Sequence, residues 1–199
     1  MRYPKAIQNL IDRFSKLPSV GPKTAERYVF YLLRQKEENL NELSQAIKEL
    51  KEKTIICHEC LALSETDPCS ICADNTRQKE ILCLIENVQD LYAIEATGQY
   101  KGKYFVLGGL INTINEVRPE DLNINRLIKK IKTDNVKEII LALNFTLEGE
   151  TTSLYLSKLL KDHVKITRLA KGLPSGSDLE YADSLTLASA LKYRNEITK

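Results

Sequence analysis

The spacing of hydrophobic positions changes near residue 80 of this 199-residue chain. Before that point apolar residues recur at helical intervals, as Ile7, Ile11 and Phe14 do, and the same spacing continues through residues 26–35 and 40–53. After it, short continuous apolar runs alternate with helical segments. The pattern predicts an α+β protein with an all-helical N-terminal part and an α/β part behind it.

The second part contains four predicted strands with helices between them. The strands are expected at 81–85, 104–107, 138–143 and 164–169, and the helices at 88–96, 124–131 and 151–160. Continuous apolar strands that alternate with helices predict a mostly parallel sheet with both faces covered. Cys83 lies in the first strand and is expected in the core, and a last helix is expected at 179–191.

A turn separates the first two predicted helices. Pro18 is expected to end the first helix, Gly21 to take the positive φ of a tight turn, and Pro22 to open the second helix. The backbone N–H groups of such a turn face outward and can bind phosphate without recognising bases. The candidate DNA-binding residues are therefore Arg13, Lys16, Gly21, Lys23 and Arg27. An ordinary helical hairpin without a ligand is the alternative.

Charge is distributed unevenly along the chain. The formal net charge is only +2, but residues 1–36 contain eight basic and two acidic side chains and so carry +6, which leaves −4 on the rest. A locally basic module indicates a polyanionic partner such as a nucleic acid. A solvated helical surface would give the same count, so the charge strengthens the argument from the turn but does not stand alone.

Four of the five cysteines form two C-x-x-C pairs, Cys57/Cys60 and Cys69/Cys72, with eight residues between the pairs. Two such pairs can hold one ion among four thiolates, the tetrahedral arrangement that Zn²⁺ prefers in a structural site. His58 lies inside the first pair and is expected to be outside the ligand set. The alternatives are a redox dithiol, which needs one pair only, and four buried free cysteines. We expect a structural zinc ion in a reducing compartment.

Acidic residues follow two of the predicted strands. Glu86 comes directly after the first strand with Asp90 one turn further on, and Glu148 and Glu150 follow the strand at 138–143. Ligands of parallel sheets gather at the carboxyl ends of the strands, where clustered acids can hold Mg²⁺. Acids at the start of a helix also stabilise the helix dipole without any metal. Both interpretations stay open on the sequence alone.

The chain shows no segment typical of targeting or of membrane insertion. Its N-terminal residues lack an apolar signal core, and its longest apolar runs are much shorter than a membrane span. A soluble, cytoplasmic protein without a membrane partner is expected.

Several motifs resemble those of the RecR family of recombination proteins and cover nearly the whole chain. Besides the two cysteine pairs they are LPSVGPKTAER at 17–27, YFVLGG at 104–109, PEDL at 119–122, EGE at 148–150, TRLAKGLP at 167–174 and GSDLEYAD at 176–183. The resemblance implies four segments: a helix-hairpin-helix DNA-binding module at 1–53, a C4 zinc finger at 54–80, a Toprim domain at 81–170, and a C-terminal Walker-B-like segment with a helix at 171–199.

The resemblance also implies a function. It is that of a non-enzymatic mediator of recombinational DNA repair, which binds DNA independently of sequence. Such a mediator works with RecO-like and RecF-like proteins to load the RecA recombinase onto single-stranded gaps. In this family the acids matched by Glu86, Asp90, Glu148 and Glu150 are associated with partner contact more than with chemistry.

The sequence departs from the family pattern at four positions. Ser19 replaces the first glycine of the turn, Phe105 a usual histidine, Phe145 the proline of Asn-Pro-Thr, and Asn87 a common second acid after Glu86. The last three differences argue against Mg²⁺ at the acidic edge.

Enzymes are the competing class of function. Toprim-type Mg²⁺-dependent nucleases and primases carry Asp-x-Asp where this chain has Glu148 and Glu150. An ATPase is a further alternative, since Asp178 and Glu180 resemble Walker-B acids, but the sequence contains no G-x-x-x-x-G-K-[ST] phosphate loop.

An apolar run in the second predicted helix bears on assembly. Residues 28–33 (YVFYLL) cover every side of a helix, and a helix that is apolar all round must be buried all round. Only two other short helices are available in the N-terminal module, so a second copy of the chain is predicted to cover it. We expect a homodimer through residues 1–53. The family's further contacts through C-terminal regions imply a ring-shaped tetramer.

Overall fold

The structure, a computed structural model, describes residues 3–196. Residues 1, 2 and 197–199, which belong to the first and last predicted domains, lie outside the described part. The chain divides into two compact units, one extending to Thr54 and the other beginning at Ile55. Each unit has its own hydrophobic core.

Three helices form the first unit: α1 (Lys5–Phe14), α2 (Pro22–Leu32) and α3 (Glu37–Glu52). α1 and α2 pack against each other around Ile11, Ala25 and Val29, which are buried. Edge-to-face packing of Phe14 on Tyr28, with ring centroids 6.0 Å apart, closes one side of this core. Pro22 occupies the start of α2, as the sequence predicted.

The second unit begins with a small module that carries the four cysteines. It consists of β1 (Ile55–Ile56), β2 (Leu63–Ser64) and α4 (Ser70–Ala73). β1 and β2 pair as an antiparallel hairpin, and α4 begins directly after Cys69, the first residue of the second cysteine pair. The hairpin and the short helix thereby bring the two cysteine pairs together.

A four-stranded sheet forms the rest of the second unit. Its strands are β3 (Gln78–Ile85), β4 (Gly102–Val106), β5 (Glu138–Ala142) and β6 (Lys165–Arg168). The order is β4-β3-β5-β6 and all three pairings are parallel, which confirms the predicted parallel sheet. Ile85 is in register with Val106 and with Ala142, so the carboxyl ends of three strands lie at one edge.

Helices follow three of the strands: α5 (Val88–Glu95), α6 (Ile124–Thr133) and α7 (Leu147–Leu160). In β3 the four consecutive residues 82–85 are all buried, because the central strands of such a sheet have both faces covered. Cys83 is 2% exposed, which confirms its place in the core, and burial raises the pKa of its thiol to about 12.

In the second unit two predicted helix starts are wrong, and in both cases a side chain determines the true start. α7 begins at Leu147 rather than at 151, because the Thr146 hydroxyl accepts a hydrogen bond from the Gly149 N–H at 3.2 Å. The last helix, α8 (Ser184–Lys192), begins five residues later than predicted, because the Asp183 carboxylate caps its first N–H groups. Residues 179–181 form a separate 3₁₀ turn.

Candidate metal centre, helical hairpin and acidic sheet edge

The four cysteines of the small module converge on one point. Cys57, Cys60, Cys69 and Cys72 are all buried, and their Sγ atoms all lie within 4.8 Å of one another. The Sγ atoms of Cys60 and Cys69 are 3.6 Å apart. Four sulfurs bound to zinc at about 2.3 Å in a tetrahedron are roughly 3.8 Å apart, so the geometry fits a metal ion.

Hydrogen bonds and burial have opposite effects on the ionisation of these sulfurs. The backbone N–H of Cys69 points to the Cys57 Sγ and that of Cys72 to the Cys69 Sγ, each at 3.4 Å. The hydrogen bond with Cys72 lowers the pKa of the Cys60 thiol to about 6, whereas burial raises that of Cys69 to about 11. A divalent ion bound among the four sulfurs would supply the counter-charge that lets them ionise together.

His58 lies outside this sulfur cluster. Its side chain is mostly exposed, and its Nδ1 is 2.7 Å from Oδ1 of Asp67. The same carboxylate oxygen accepts the His58 backbone N–H at 2.9 Å. The residue therefore closes the loop between the two cysteine pairs.

Sequence reasoning missed Lys103, which connects the cysteine module to the sheet. The residue is 4% exposed, and its ammonium donates to the carbonyl oxygens of Ile71, Cys72 and Asp74 at 2.7, 2.9 and 2.7 Å. These carbonyls lie at the C-terminal end of α4, where a cation is favourable. A lysine inside the apolar run of β4 was the available signal, but its partners are not visible in the sequence.

The turn between α1 and α2 has a different backbone from the one predicted. Ser19, not Gly21, takes the positive φ, at 63°, while Gly21 has φ −78° and is extended as the residue before α2. Ser19 adopts the left-handed conformation although it has a Cβ, at a cost of about 1 kcal/mol. Gly21 instead begins the helix, because its carbonyl accepts the Ala25 N–H at 2.9 Å.

Neither the backbone conformation nor the packing around position 21 requires a glycine there. Its φ is ordinary, and a Cβ added there would meet no atom within 4 Å among the described residues other than its two chain neighbours. Among residues 3–196, no side chain forms a capping hydrogen bond at the N-terminus of α2, where the first backbone N–H groups of a helix lack partners within the helix. An external group that approaches the backbone closely would account for both observations.

Four basic side chains lie on α2 and at the end of α1. Lys23 and Arg27 are exposed and lie one turn apart on α2, while Arg13 and Lys16 are exposed at the end of α1. Within residues 3–196 none of the four forms an ion pair. Their charge is thus available to an external anion.

The predicted acids of the sheet edge separate into two groups. Glu86 and Glu148 line one cavity of about 360 Å³, together with Asn112 and Asn144. Asn144 donates a hydrogen bond to Glu86 at 3.0 Å. This cavity lies beside the carboxyl ends of β3 and β5, where a parallel sheet presents its ligands.

Asp90 and Glu150 are engaged elsewhere. The Asp90 carboxylate accepts the Asn87 N–H at 2.9 Å and caps α5. Glu150 accepts two hydrogen bonds from Arg168, at 3.1 and 2.7 Å, and one from Lys171 at 2.7 Å. The hydrogen bonds from Arg168 have the largest effect, followed by the one from Lys171, and together they lower the pKa of the Glu150 carboxyl to about 2.

The departure at Phe145 belongs to the same cluster as Glu150. The ring of Phe145 lies 5.0 Å from both the Arg168 guanidinium and the Lys171 ammonium. In the described part of the chain, the four cysteines are the only group of three or more potential ligands that comes together. A magnesium ion at the sheet edge would therefore have Glu86 and Glu148 as its carboxylate ligands.

Comparison with known proteins identifies three regions of similarity. Residues 7–51 match the family model for the RecR helix-hairpin-helix, residues 80–170 that for the Toprim domain, and residues 172–195 that for the RecR C-terminal region.

Curated relatives match along the whole chain. The chain is 49% identical over 198 residues to the recombination protein RecR of Bifidobacterium adolescentis, covering 99% of each chain. It is 48% identical over 197 residues to that of Bifidobacterium longum subsp. infantis, covering 98% of each. It is 45% identical over 198 residues to that of Staphylococcus aureus, covering 99% of this chain and 100% of the relative.

Within residues 3–196, none of the helices combines the length and the apolar character that a bilayer crossing requires.

Glu150→Gln is expected to lower the free energy of unfolding at neutral pH by about 1 kcal/mol, since it weakens an ion cluster that solvent partly screens. The folded-state pKa of about 2 lies below the ordinary value of 4.5 for a glutamate. The stabilisation is therefore present above about pH 4.5 and is lost as pH falls toward 2.

Denaturant unfolding of wild type and variant from neutral to acidic pH measures this difference. The two stability curves should converge below about pH 4.5. Glu65→Gln, at an exposed glutamate without an ion pair among the described residues, is the control. A gap that stays constant through the acid range would contradict the assignment.

Proposed function

Because the chain belongs to the RecR family of recombination proteins, we propose that it is a non-enzymatic, DNA-binding mediator of recombinational repair. It acts with RecO-like and RecF-like proteins to load RecA onto single-stranded gaps. It works in the cytoplasm. Each of the four segments has its own proposed role. We assign DNA binding to 1–53, a structural metal site to 54–80, contact with partner proteins to 81–170 and assembly to 171–199.

The start of α2 carries the proposal for DNA. An uncapped helix N-terminus, preceded by a glycine that neither conformation nor packing requires, suits a phosphate that approaches the backbone. Lys23 and Arg27 on α2 flank that position, and Arg13 and Lys16 add positive charge from α1. Backbone N–H groups and basic side chains of this kind contact phosphate and do not recognise base edges, so we expect binding that is independent of sequence.

The arrangement of the carboxylates supports a mediator over an enzyme. Asp90 caps a helix and Glu150 is held by Arg168 and Lys171, so these two acids are engaged in structure. Glu86 and Glu148 remain at the cavity beside the sheet edge and form a small acidic surface. We assign that surface to contact with a protein partner; a Mg²⁺-dependent nuclease is the alternative that the same two residues would serve.

The metal is assigned to zinc. Four buried thiols with sulfurs at tetrahedral spacing are the ligand set that Zn²⁺ takes in closed structural sites. When bound, the ion supplies positive charge that lets all four thiols ionise. Its part is structural, because the four sulfurs leave no position open for a substrate.

Self-association is proposed from exposed apolar side chains of the first unit. Tyr28, Tyr31 and Leu33 are 46%, 64% and 57% exposed, and α3 buries none of its residues. Along α3, Ile47 and Leu50 are 60% and 69% exposed. Two helices with unpartnered apolar faces require a cover, and a second copy of this unit presents the same surface to form a two-fold dimer. Contacts of the C-terminal segments would join two dimers into a ring.

Reversing charge at the start of α2, with Lys23→Glu and Arg27→Glu together, should weaken binding of unrelated DNA sequences alike, by about tenfold or more at low salt. The slope of binding against salt concentration should fall by about one for each phosphate that the protein no longer neutralises. Fluorescence anisotropy across a sodium chloride series measures both quantities.

Glu86→Gln with Glu148→Gln is the matched comparison, since it changes charge at the acidic surface. These changes should leave DNA affinity nearly intact and weaken binding of a RecO-like partner. Unchanged DNA affinity in the charge-reversed hairpin would refute the role of α2. Mg²⁺-dependent cleavage of the DNA that Glu148→Gln abolishes would favour the nuclease.

Metal analysis of the purified protein should find about one zinc ion per chain, and Cys60→Ser should lose it. Zinc contributes on the order of 10 kcal/mol to small structural modules, so the segment around the cysteines should become sensitive to protease. Cys83→Ala, at a cysteine of the sheet core, should keep the ion and is the control. A wild-type protein that is metal-free and fully folded would contradict the assignment.

Ile47→Glu should convert the proposed dimer into a monomer at micromolar concentration, because a charge in an apolar interface is not solvated. Leu154→Glu on α7, where the residue is 63% exposed, is the control and should leave the assembly unchanged. Light scattering gives the masses. A folded wild-type monomer at micromolar concentration would refute the dimer.

A further inference from the structure

A cleft with a cavity of about 680 Å³ lies in the second unit, between the cysteine module and α6. One wall comes from the module, with His58, Pro68 and Asn75, and the other from the face of α6 that carries Arg126 and Lys129. All the residues that line the cleft belong to the second unit, and they differ from the residues that line the cavity beside Glu86.

Positive charge dominates the lining of this cleft. Its basic side chains are Lys79, Lys103, Arg126, Lys129 and Lys130, against two carboxylates, Glu59 and Asp134. Both carboxylates are paired with the same lysine: the Lys130 ammonium is 2.7 Å from Asp134 and 3.6 Å from Glu59. The acids therefore neutralise little of the remaining charge.

Three of the cations are available to a ligand. Lys79, Arg126 and Lys129 are exposed, and none of them forms an ion pair with any residue of the range 3–196. Arg126, Lys129 and Lys130 are three and four residues apart on α6, a spacing that places them on one side of the helix. An anion that enters the cleft would not have to displace an existing partner.

The depth of the cleft adds a fixed positive charge. The ammonium of Lys103 is buried and held in place by three carbonyl oxygens. Asn75 and Thr133 contribute neutral polar groups at the wall. A polyanion thus meets a preorganised field together with mobile basic side chains.

The lining favours a phosphodiester strand over an acidic peptide. Peptides are usually recognised through an apolar anchor pocket or through a free strand edge. The apolar residues deep in this cleft, Phe105 and Cys72, are only 1% and 7% exposed and offer no such pocket. At the strand edge, the Val106 N–H is already bonded to the Cys60 carbonyl at 2.8 Å.

We propose that this cleft binds the phosphodiester backbone of a nucleic-acid strand, through Lys79, Arg126 and Lys129, as a second contact beyond the helical hairpin. The inference rests on the proposed function in one respect only, that the chain binds nucleic acid. It adds a sequence-independent site in the Toprim-containing unit. A strand held at both sites makes more phosphate contacts than the hairpin alone provides.

The test reverses charge in the cleft with Arg126→Glu and Lys129→Glu in the full-length protein. Binding of a fluorescent oligothymidylate at low salt should weaken about tenfold, and the salt slope should fall by about one to two. Lys132→Glu with Lys158→Glu is the control, because these exposed lysines lie outside the cleft and the charge change is the same. Arg126→Ala with Lys129→Ala should give an intermediate loss.

Zinc content and thermal unfolding of every variant establish that the changed side chains act on binding and not on folding. Thymidine monophosphate and polyglutamate are added as competitors. At equal ionic strength neither should displace the oligonucleotide, because a single phosphate lacks the repeated contacts and the peptide lacks an anchor. Displacement by polyglutamate that Arg126→Glu and Lys129→Glu abolish would assign the cleft to an acidic protein and overturn the proposal.

The outcomes separate this inference from the role of the hairpin. If the cleft variant binds like its control while Lys23→Glu with Arg27→Glu binds weakly, the cleft proposal fails and the hairpin stands. If the cleft variant alone is weakened, the cleft stands and the hairpin proposal fails. If wild type does not bind the oligonucleotide, both fail. Weaker binding by each variant, and weaker still by the combined one, is the expected result.

Discussion

Four buried sulfur atoms that lie close enough to share one cation are the constraint on which the second unit depends. Crowded thiols resist joint ionisation, and a divalent ion bound among them would balance their charge and stabilise the segment that contains the cysteines. Backbone carbonyl groups of the cysteine module also form hydrogen bonds to β4. The Cys60 carbonyl accepts the Val106 N–H, and the carbonyls around Cys72 accept the Lys103 ammonium. Metal binding and the edge of the sheet are thereby coupled.

This coupling also protects the sheet. β4 is an edge strand, and an exposed edge of unpaired N–H and C=O groups invites pairing with another chain. The cysteine module covers part of that edge through the bond from Val106 and the three bonds from Lys103. The burial of all five residues of β4 follows from this arrangement.

The sequence predicted the elements of the fold well, because apolar periodicity is a local signal. The four strands, the parallel sheet and the cysteine cluster all follow from spacing. Positions set by single side chains were harder. Ser19 occupies a left-handed conformation that serine rarely takes, so the positive φ was assigned to Gly21 instead. Lys103 was missed because its three acceptors lie about thirty residues away in the sequence.

The acids illustrate why a sequence motif does not fix a site. Glu148 and Glu150 were expected together after the strand at 138–143, directly before a helix that was predicted to begin at 151. The cap at Thr146 places both in the first turn of α7, and residues two apart on a helix diverge by roughly 200°. Glu148 therefore faces the cavity with Glu86, while Glu150 meets Arg168. Helix geometry therefore separates the two glutamate side chains, although their close spacing in the sequence suggested one site.

Both proposed roles of α2 belong to one rigid element of 11 residues, about 16 Å long. Its first turn carries the groups proposed to bind phosphate, and its last turns carry the exposed Tyr28 and Tyr31, which the proposed dimer would cover. In the proposed dimer a DNA strand could bind two hairpins held at a fixed separation. Once the first hairpin has bound, binding to the second would be intramolecular. Such a dimer would bind DNA bivalently, so its apparent affinity for DNA would increase with the concentration of the protein. Dilution of the protein into monomers would then release the strand even though each hairpin is unchanged.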